Sequence, residues 1–295
     1  MSAPFTFDQY VDRVFPTSNT SEDEKLTIKQ AFASVNNGND ESHKKLVIDR
    51  VFQTVSNEAS VRSQLQSMDL SSLQDLFTYI YPKPDNGPLG TCAKKIPNET
   101  PFNLATEVYG LPLSEFNDEN RLKNSVHSLR VKQLRELIAQ LQQEQVISCE
   151  WFGIYRAIPE PNFLNYRPSD GFSVLVKEAY TGDFSRPDFP LNEQFAKHSS
   201  NTNVGLSGKM RVIHDVYGSL SLEGDGVDGA ESTPYYVCDT RVESELCLPI
   251  FDREGSEVIG IVDAEAWKTH FCASPLTLFH FMYICYLLGQ YQLFL

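Results

Sequence analysis

Two apolar segments joined by a short polar turn constrain this 295-residue chain more than any other feature. They are Ser244–Phe251 and Val258–Glu265, and the turn between them is Asp252-Arg253-Glu254-Gly255. Both segments have the length and the Val, Ile and Leu content of buried strands, and a glycine stands in the turn that separates them. The sequence therefore predicts two neighbouring antiparallel strands that any fold of this chain must accommodate.

Carboxylates mark the ends of these two segments. Glu245 enters the first, and Asp263 and Glu265 end the second. Asp263 and Glu265 are two residues apart, so they share one face of a strand. Cys238 and Asp239 precede the pair on a loop. A thiol in front of three acids predicts a small-molecule pocket; a solvated strand edge is the alternative for the acids, and a loop anchor is the alternative for the cysteine.

Composition narrows the classes of protein. Hydrophobic residues make up 41% of the chain and charged residues 22%, which is typical of a soluble globular protein. The formal net charge of −14 argues against nucleic acid and anionic membranes as partners, because binding phosphate needs clustered Lys and Arg. The six cysteines include no Cys-x-x-Cys pair, and the first ten residues do not resemble a signal peptide. We therefore expect a cytoplasmic protein.

Helical patterns precede the strands. Ser21 and Glu24 form a capping-box pattern, and residues 82–101 are rich in Pro, Gly, Asn and Lys. We expect a helical unit and linker at residues 1–100 and a second domain at residues 101–295. Within the first unit, helices are predicted at Glu41–Val55, Ser56–Met68 and Leu70–Tyr81.

The second domain begins with a predicted amphipathic helix, Glu119–Val146, which could pack on the sheet and could also pair with a second copy in a homodimer. Three more strands, two loops and a short helical piece follow: 147–155, 172–179 and 211–216 as strands, 180–190 and 217–233 as loops, and 192–199 as helix. Ser274–Leu295 is apolar nearly all round, but polar residues interrupt it, so we expect a buried helix rather than a membrane anchor. This order of elements predicts an α+β fold with a central antiparallel sheet and long helices on one face.

The motifs resemble those of a known family. From about Leu122 onward the order of elements resembles a GAF domain, and in detail it is similar to the free methionine-(R)-sulfoxide reductases. Four stretches carry the resemblance: Trp151-Phe152-Gly153-Ile154-Tyr155, Val212-Ile213-His214-Asp215-Val216, Cys238-Asp239 with Ser244-Glu245-Leu246, and Gly260-Ile261-Val262-Asp263-Ala264-Glu265. The resemblance covers roughly 170 residues.

The resemblance implies a reaction and roles for these residues. Cys238 would be the attacking thiol, and Glu245, Asp263 and Glu265 would hold the amino group of a free amino acid and help protonate a sulfoxide oxygen. A thiolate attacks the sulfoxide sulfur as the oxygen is protonated, which requires a neighbouring acid. The remaining residues that would contact the substrate are Trp151, Tyr155, Tyr180 and Asp239.

The sequence departs from the family at two points. The family motif ends in Asp-x-Asp, whereas this chain has Asp263-Ala264-Glu265, and the resolving cysteine has no counterpart here. An external thiol would then reduce the oxidised Cys238, with Cys247 as the alternative. We expect no bound cofactor and no metal. Two other functions stay open: a non-catalytic GAF module that senses a small molecule, and a metal-dependent enzyme that adds His198, His214 and His270 to the same pocket.

Overall fold

The structure, a computed structural model, describes residues 4–15, 22–33, 40–82, 99–111, 118–158, 173–183, 185–221 and 239–293. In chain order, its first elements are α1 Phe7–Val14, α2 Glu22–Ala33, α3 Asp40–Val55, α4 Glu58–Ser67, α5 Leu70–Phe77, β1 Thr78–Pro82, β2 Glu99–Asn103, α6 Leu104–Glu107, α7 Glu119–Asn124 and α8 Val126–Gln143. They are followed by β3 Trp151–Ile158, β4 Val174–Thr181, β5 Asp188–Pro190, α9 Glu193–Ala196, α10 Ser200–Ser207, β6 Arg211–Ile213, α11 Val216–Ser221, β7 Ser244–Phe251, β8 Val258–Ala266 and α12 Pro275–Gln290.

The predicted pair of strands lies inside the main sheet. β7 and β8 pair antiparallel from Ser244 opposite Ala266 onward, and the turn between them is closed by Asp252. The Asp252 carboxylate accepts the backbone N–H groups of Ser256 and Glu257, and Gly255 takes a positive φ of 71° that few other residues adopt. The two segments therefore form a hairpin, as the sequence predicts.

Six antiparallel strands make up the sheet in the order β5-β4-β3-β8-β7-β6. β3 and β8 lie at its centre, so the Trp-Phe-Gly-Ile-Tyr strand is hydrogen-bonded directly to the strand that carries Asp263 and Glu265. β1 and β2 form a separate two-stranded ladder. The α+β architecture with a central antiparallel sheet is thus confirmed.

One face of the sheet is apolar and packs against long helices. Leu246, Leu248, Val262 and Ala264 on this face share a hydrophobic cluster with the buried side of α12. α12 is buried nearly all round because α1, α2 and α3 cover its outer side, which explains why its sequence lacks a polar face. Among the described helices, none is both long and apolar enough to cross a membrane.

The N-terminal helices contribute to the same cluster. Phe7 of α1 packs edge-on against Phe279 of α12, and the buried Tyr10 hydroxyl donates to the backbone oxygen of Pro249 in β7 at 2.7 Å. A buried hydrogen bond of this kind fixes α1 on the end of the strand pair. The division of the chain into 1–100 and 101–295 stays a prediction.

The opposite face of the sheet is covered by short helices. α10 packs on β7 and β8, α9 packs against α10, and each begins at a polar side chain that caps its first backbone N–H groups, Asn192 for α9 and Ser199 for α10. This second face carries the carboxylates, so the loops and caps between residues 182 and 208 shape the region above them.

Some element boundaries differ from the sequence prediction for local reasons. The predicted helix Glu119–Val146 is broken at Ser125, whose extended backbone and side chain cap α8 through the N–H of His127. The predicted helix Leu70–Tyr81 ends at Phe77, because Tyr79 pairs with Phe102 in the β1–β2 ladder, where the two rings pack at a tilt with centroids 5.3 Å apart. The predicted strand at 147–155 begins only at Trp151, since the N–H groups before it bond back to the end of α8.

Several elements were not predicted from the sequence at all. They are α1, the β1–β2 ladder, α6, β5, α10 and α11. Two of them, α6 and β5, span four residues or fewer, and such pieces carry too few side chains to show a periodic pattern. The predicted strand at 211–216 is present as the shorter β6. α10 is longer, but Ser, Asn and Gly dominate its sequence.

Replacing Gly289 with Ala tests the packing of α12 on the sheet. A Cβ at this position would meet the backbone oxygen of Phe251 at 2.0 Å, and a backbone atom cannot rotate away. We expect Gly289→Ala to lower the free energy of unfolding by about 1–3 kcal/mol in chemical denaturation. The matched control is Gly205→Ala in α10, where the nearest atom is the end of the flexible Leu191 side chain. Equal losses in the two variants would contradict this packing.

Candidate functional site

Strand register brings the three carboxylates together. Glu245 of β7 lies directly opposite Glu265 of β8, and Cys247 lies opposite Asp263. Because side chains alternate between faces, all four point to the face covered by α10. The carboxylate oxygens of Glu245, Asp263 and Glu265 approach one another within 4.8 Å. The structure therefore unites the three acids that the sequence predicts in one site.

The first turn of α10 supplies hydrogen-bond donors to two of the acids. Ser200 Oγ donates to Glu245 Oε2 at 2.9 Å, and Asn201 Nδ2 donates to Asp263 Oδ2 at 2.9 Å. The carbonyl oxygen of Asn201 in turn accepts from the Cys247 thiol at 3.3 Å, which fixes the orientation of the amide. The positive end of the helix dipole also favours negative charge at this point.

Burial makes these acids weak. Burial raises the pKa of Glu245 to about 7, although Arg211 and the bond from Ser200 act in the opposite direction. Burial, together with the charges of Glu245 and Glu265, raises the pKa of Asp263 well above its usual value. Asp263 Oδ1 is buried and has no hydrogen-bond partner among the described residues. Burial therefore favours the protonated forms of Glu245 and Asp263.

Aromatic side chains form the wall of the site. Trp151, Tyr155 and Phe189 line the cavity beside the acids, together with Ser185. The Trp151 indole folds over Gly153, where a Cβ would lie 2.2 Å from the ring, so the glycine in the Trp-x-Gly pattern makes room for this ring. Its Nε1 donates to the backbone oxygen of Asp183 at 3.1 Å. Trp151 and Tyr155 are thus pocket walls in this structure.

The cavity is small inside and open at its mouth. Its inner volume is about 20 Å³. One buried water needs roughly 10–15 Å³ of such space. With the space open to solvent included, the depression measures about 360 Å³. The inner part accepts a single group of the size of water, and the outer part accepts a larger fragment.

A buried lysine that the sequence did not single out lies behind this wall. Lys177 of β4 is fully buried and pairs across the sheet with Tyr155. Burial lowers the pKa of its ammonium group to about 7, while Glu265, Asp188 and Asp263 act to raise it. Ser200, Asn201 and Ser185 were also missed, because nothing in a Ser- and Asn-rich stretch distinguishes a site residue from a loop residue.

Other predicted residues lie elsewhere or outside the described chain. Asp239 bonds Arg241, whose guanidinium also pairs with Asp183 and stacks on the Trp267 ring at 4.2 Å. Tyr180 does not line the cavity and instead faces Lys177 at 4.1 Å. Cys238 lies outside the described residues.

The three acids are also the group that could hold a metal ion in the described part of the chain. Oxygen ligands of this kind suit a hard divalent cation, but Asn201 and Ser200 already occupy one oxygen of two of the acids. His214 and His270 stack on each other with ring centroids 5.4 Å apart and do not belong to this group. The residues present fit a cation of either kind, a metal ion or an ammonium group.

Comparison with known proteins gives matches among solved structures only. No family model and no curated protein matches the chain. A GAF domain is 14% identical over 55% of this chain and 76% of its own, with a TM-score of 0.37. The free methionine-R-sulfoxide reductase of Neisseria meningitidis, in complex with its substrate, is 16% identical over 56% and 83%, with a TM-score of 0.38. The type II enzyme of Thermoplasma acidophilum is 15% identical over 57% and 94%, with a TM-score of 0.40.

These are the two groups of proteins that the sequence motifs resemble. The resemblance predicted from the motifs is therefore found again among solved structures. It concerns the fold alone, and matches at such identities and TM-scores carry no argument about activity, substrate or site residues.

The raised pKa of Glu245 predicts a dependence of stability on pH. The folded chain keeps this proton up to about pH 7, whereas the unfolded chain releases it near pH 4.3. Between these values the folded state binds more protons, so its stability falls as pH rises. Between about pH 5 and about pH 8, we expect the free energy of unfolding of wild type to fall by about 1–3 kcal/mol relative to Glu245→Gln.

Denaturant titrations at a series of pH values measure this difference. The control is Glu257→Gln, an exposed position in the β7–β8 turn, whose curve should run parallel to that of wild type. Parallel curves for wild type and Glu245→Gln would mean that Glu245 ionises in the folded chain as it does in water.

Proposed function

We propose that the chain binds a small amino-acid-like molecule by its ammonium group at Glu245, Asp263 and Glu265. The observation that carries the proposal is Oδ1 of the buried Asp263, which has no hydrogen-bond partner in the described part of the chain and belongs to a cluster of three acids. A buried carboxylate oxygen without a partner is costly, and an ammonium group supplies three donors to satisfy it. The inner cavity has the size of such a group, and the aromatic side chains of Trp151 and Tyr155 suit the apolar remainder of the ligand.

The proposed reaction is the reduction of free methionine-(R)-sulfoxide by Cys238. The Cys238 thiolate attacks the sulfoxide sulfur, the sulfur–oxygen bond breaks, and the oxygen leaves on Cys238 as a sulfenic acid while methionine is released. Glu245 gives up its proton when the ammonium group binds, and Asp263, whose pKa is raised well above its usual value by burial and by the charges of Glu245 and Glu265, delivers the proton that the oxygen needs. Two molecules of an external thiol then reduce the sulfenic acid, which yields a disulfide, water and the original thiol.

Contacts of Asp239, the residue after Cys238, support this role for Cys238. Asp239 follows it in the chain and bonds Arg241, which pairs with Asp183. The backbone oxygen of Asp183 accepts the Trp151 indole of the pocket wall. Asp239, the residue that follows the thiol in the chain, is thus connected through Arg241 and Asp183 to the wall of the cavity.

An external reductant is the better partner for an oxidised Cys238 than Cys247. Burial, together with Asp263 and Glu245, raises the pKa of the Cys247 thiol well above its usual value. A thiol held in its neutral form is a poor nucleophile, and this one is also bonded to Asn201.

Turnover of free methionine-(R)-sulfoxide with dithiothreitol tests the proposed reaction. We expect wild type to form methionine, and we expect Cys238→Ser to lose turnover by at least about a thousandfold while it still binds the sulfoxide. The control is Cys272→Ser, since Cys272 is buried on the apolar side of the sheet and should not affect the reaction beyond its effect on stability. Equal turnover by wild type and Cys238→Ser would contradict the reductase proposal.

Binding measured by calorimetry separates the ligand from the reaction. We expect Asp263→Asn to weaken binding of the sulfoxide by about tenfold or more, because it replaces one of the three acids that hold the ammonium group. Glu254→Gln, an exposed acid in the β7–β8 turn, serves as the control. Binding without turnover would identify the chain as a sensing module, and dependence of either signal on added Mg²⁺ or Zn²⁺ would favour a metal-dependent enzyme instead.

A further inference from the structure

Asn201 links the thiol of Cys247 to the carboxyl group of Asp263. The Cys247 thiol donates to Asn201 Oδ1 at 3.3 Å, and Asn201 Nδ2 donates to Asp263 Oδ2 at 2.9 Å. All three residues are buried, with at most 4% of their surface exposed. Asn201 and Asp263 line the cavity, whereas Cys247 lies behind them and does not. The thiol is therefore connected to the cavity through the Asn201 amide.

The thiol favours one of the two orientations of this amide. The oxygen and nitrogen of an asparagine amide have nearly the same shape, so only hydrogen-bond partners distinguish the orientations. A thiol that keeps its proton can donate it to an amide oxygen, and its sulfur is a weak acceptor of an amide N–H. Burial raises the pKa of Cys247 well above its usual value, so this thiol keeps its proton. The amide oxygen accordingly faces Cys247, and the amide nitrogen faces Asp263.

The orientation of the amide decides which oxygen of Asp263 carries a proton. With the amide nitrogen as donor, Oδ2 is an acceptor. The carbonyl oxygen of a neutral carboxyl group is its better acceptor, so the proton lies on Oδ1. Oδ1 is the oxygen that has no hydrogen-bond partner among the described residues and that the proposed function assigns to the ligand. A protonated Oδ1 donates through its hydrogen and still accepts through a lone pair, so it can contact both the sulfoxide oxygen and the ammonium group.

A reversed amide would hold the proton on the other oxygen. Asp263 Oδ2 would then donate to Asn201 Oδ1, and Oδ1 of Asp263 would be a carbonyl oxygen. Such an oxygen still accepts from an ammonium group, but it has no proton for a sulfoxide oxygen. The orientation of the amide therefore affects delivery of the proton much more than binding of the ammonium group.

We propose that Cys247 is a positioning residue whose thiol, acting through the Asn201 amide, keeps the proton of Asp263 on Oδ1, from which it is delivered to the substrate. The inference rests on the proposed function, which makes Asp263 the proton donor. It gives a role in the reaction to a thiol that does not itself contact the substrate. A purely structural Cys247 would only fill space in β7, and its loss would lower stability without a specific effect on kcat.

Steady-state turnover of methionine-(R)-sulfoxide with dithiothreitol tests this role. We expect Cys247→Ala to lower kcat by about three- to tenfold, the effect of one hydrogen bond on the balance between the two amide orientations, while KM changes by less than about twofold. Cys247→Ser keeps a donor at this position and should restore kcat to within about twofold of wild type. The control is Cys272→Ala, which removes a thiol from a buried position on the apolar side of the sheet and should retain the wild-type kcat.

A double-mutant cycle with Asn201→Ala tests whether Cys247 acts through the amide. We expect Cys247→Ala to have no further effect on kcat once Asn201 has been replaced, because the connection to Asp263 is then absent. If Cys247→Ala fails to fold, Asn201→Ala alone should lower kcat by at least about threefold.

Three results would overturn the inference and leave the proposed reaction intact. They are an equal kcat in wild type and Cys247→Ala (or Asn201→Ala), an equal loss in Cys247→Ala and Cys247→Ser, and losses from Cys247→Ala and Asn201→Ala that multiply as independent effects do. Absence of turnover in wild type would instead contradict the proposed reaction itself.

Discussion

The burial of three carboxylates in one small space is the constraint on which the site depends. The β7–β8 register sets Glu245 opposite Glu265 and places Asp263 two positions further along, so the backbone holds all three acids on the same face of the sheet. Buried like charges cannot all remain ionised, and the folded chain must supply protons, donors or a cation. The first turn of α10 meets part of this demand through Ser200 and Asn201. In our proposal, the ligand supplies the remaining donors, and this is the basis of its recognition.

The two faces of the sheet have different roles. The apolar face packs against α12 and the N-terminal helices. The free energy gained by burying this large cluster offsets the cost of burying polar groups on the other face. The other face carries the acids together with Lys177, whose ammonium group lies behind Ser185. Recognition and packing thus use alternate residues of the same strands.

The parts of the fold that could be predicted from the sequence depend on local periodicity. The β7–β8 hairpin, the buried α12 and the shared face of Asp263 and Glu265 follow from spacing alone, and the structure has all three. Lys177 could not be recognised, because a lysine inside a strand resembles one at an exposed edge until its distant partners are known. The same holds for Asn201, whose two partners in β7 and β8 are 46 and 62 residues away. Ser125 broke a helix through a cap that the surrounding apolar pattern concealed.

Proton release on ligand binding tests the central claim most directly. If the acids hold protons in the free site and an ammonium group replaces them, binding must release protons to the solvent. Calorimetry of methionine-(R)-sulfoxide binding at about pH 6, in buffers with different enthalpies of ionisation, measures their number. We predict the release of about one proton, since the pKa of Glu245 lies near 7 in the free site and falls beside an ammonium group. Binding at this pH with no proton released would contradict the account.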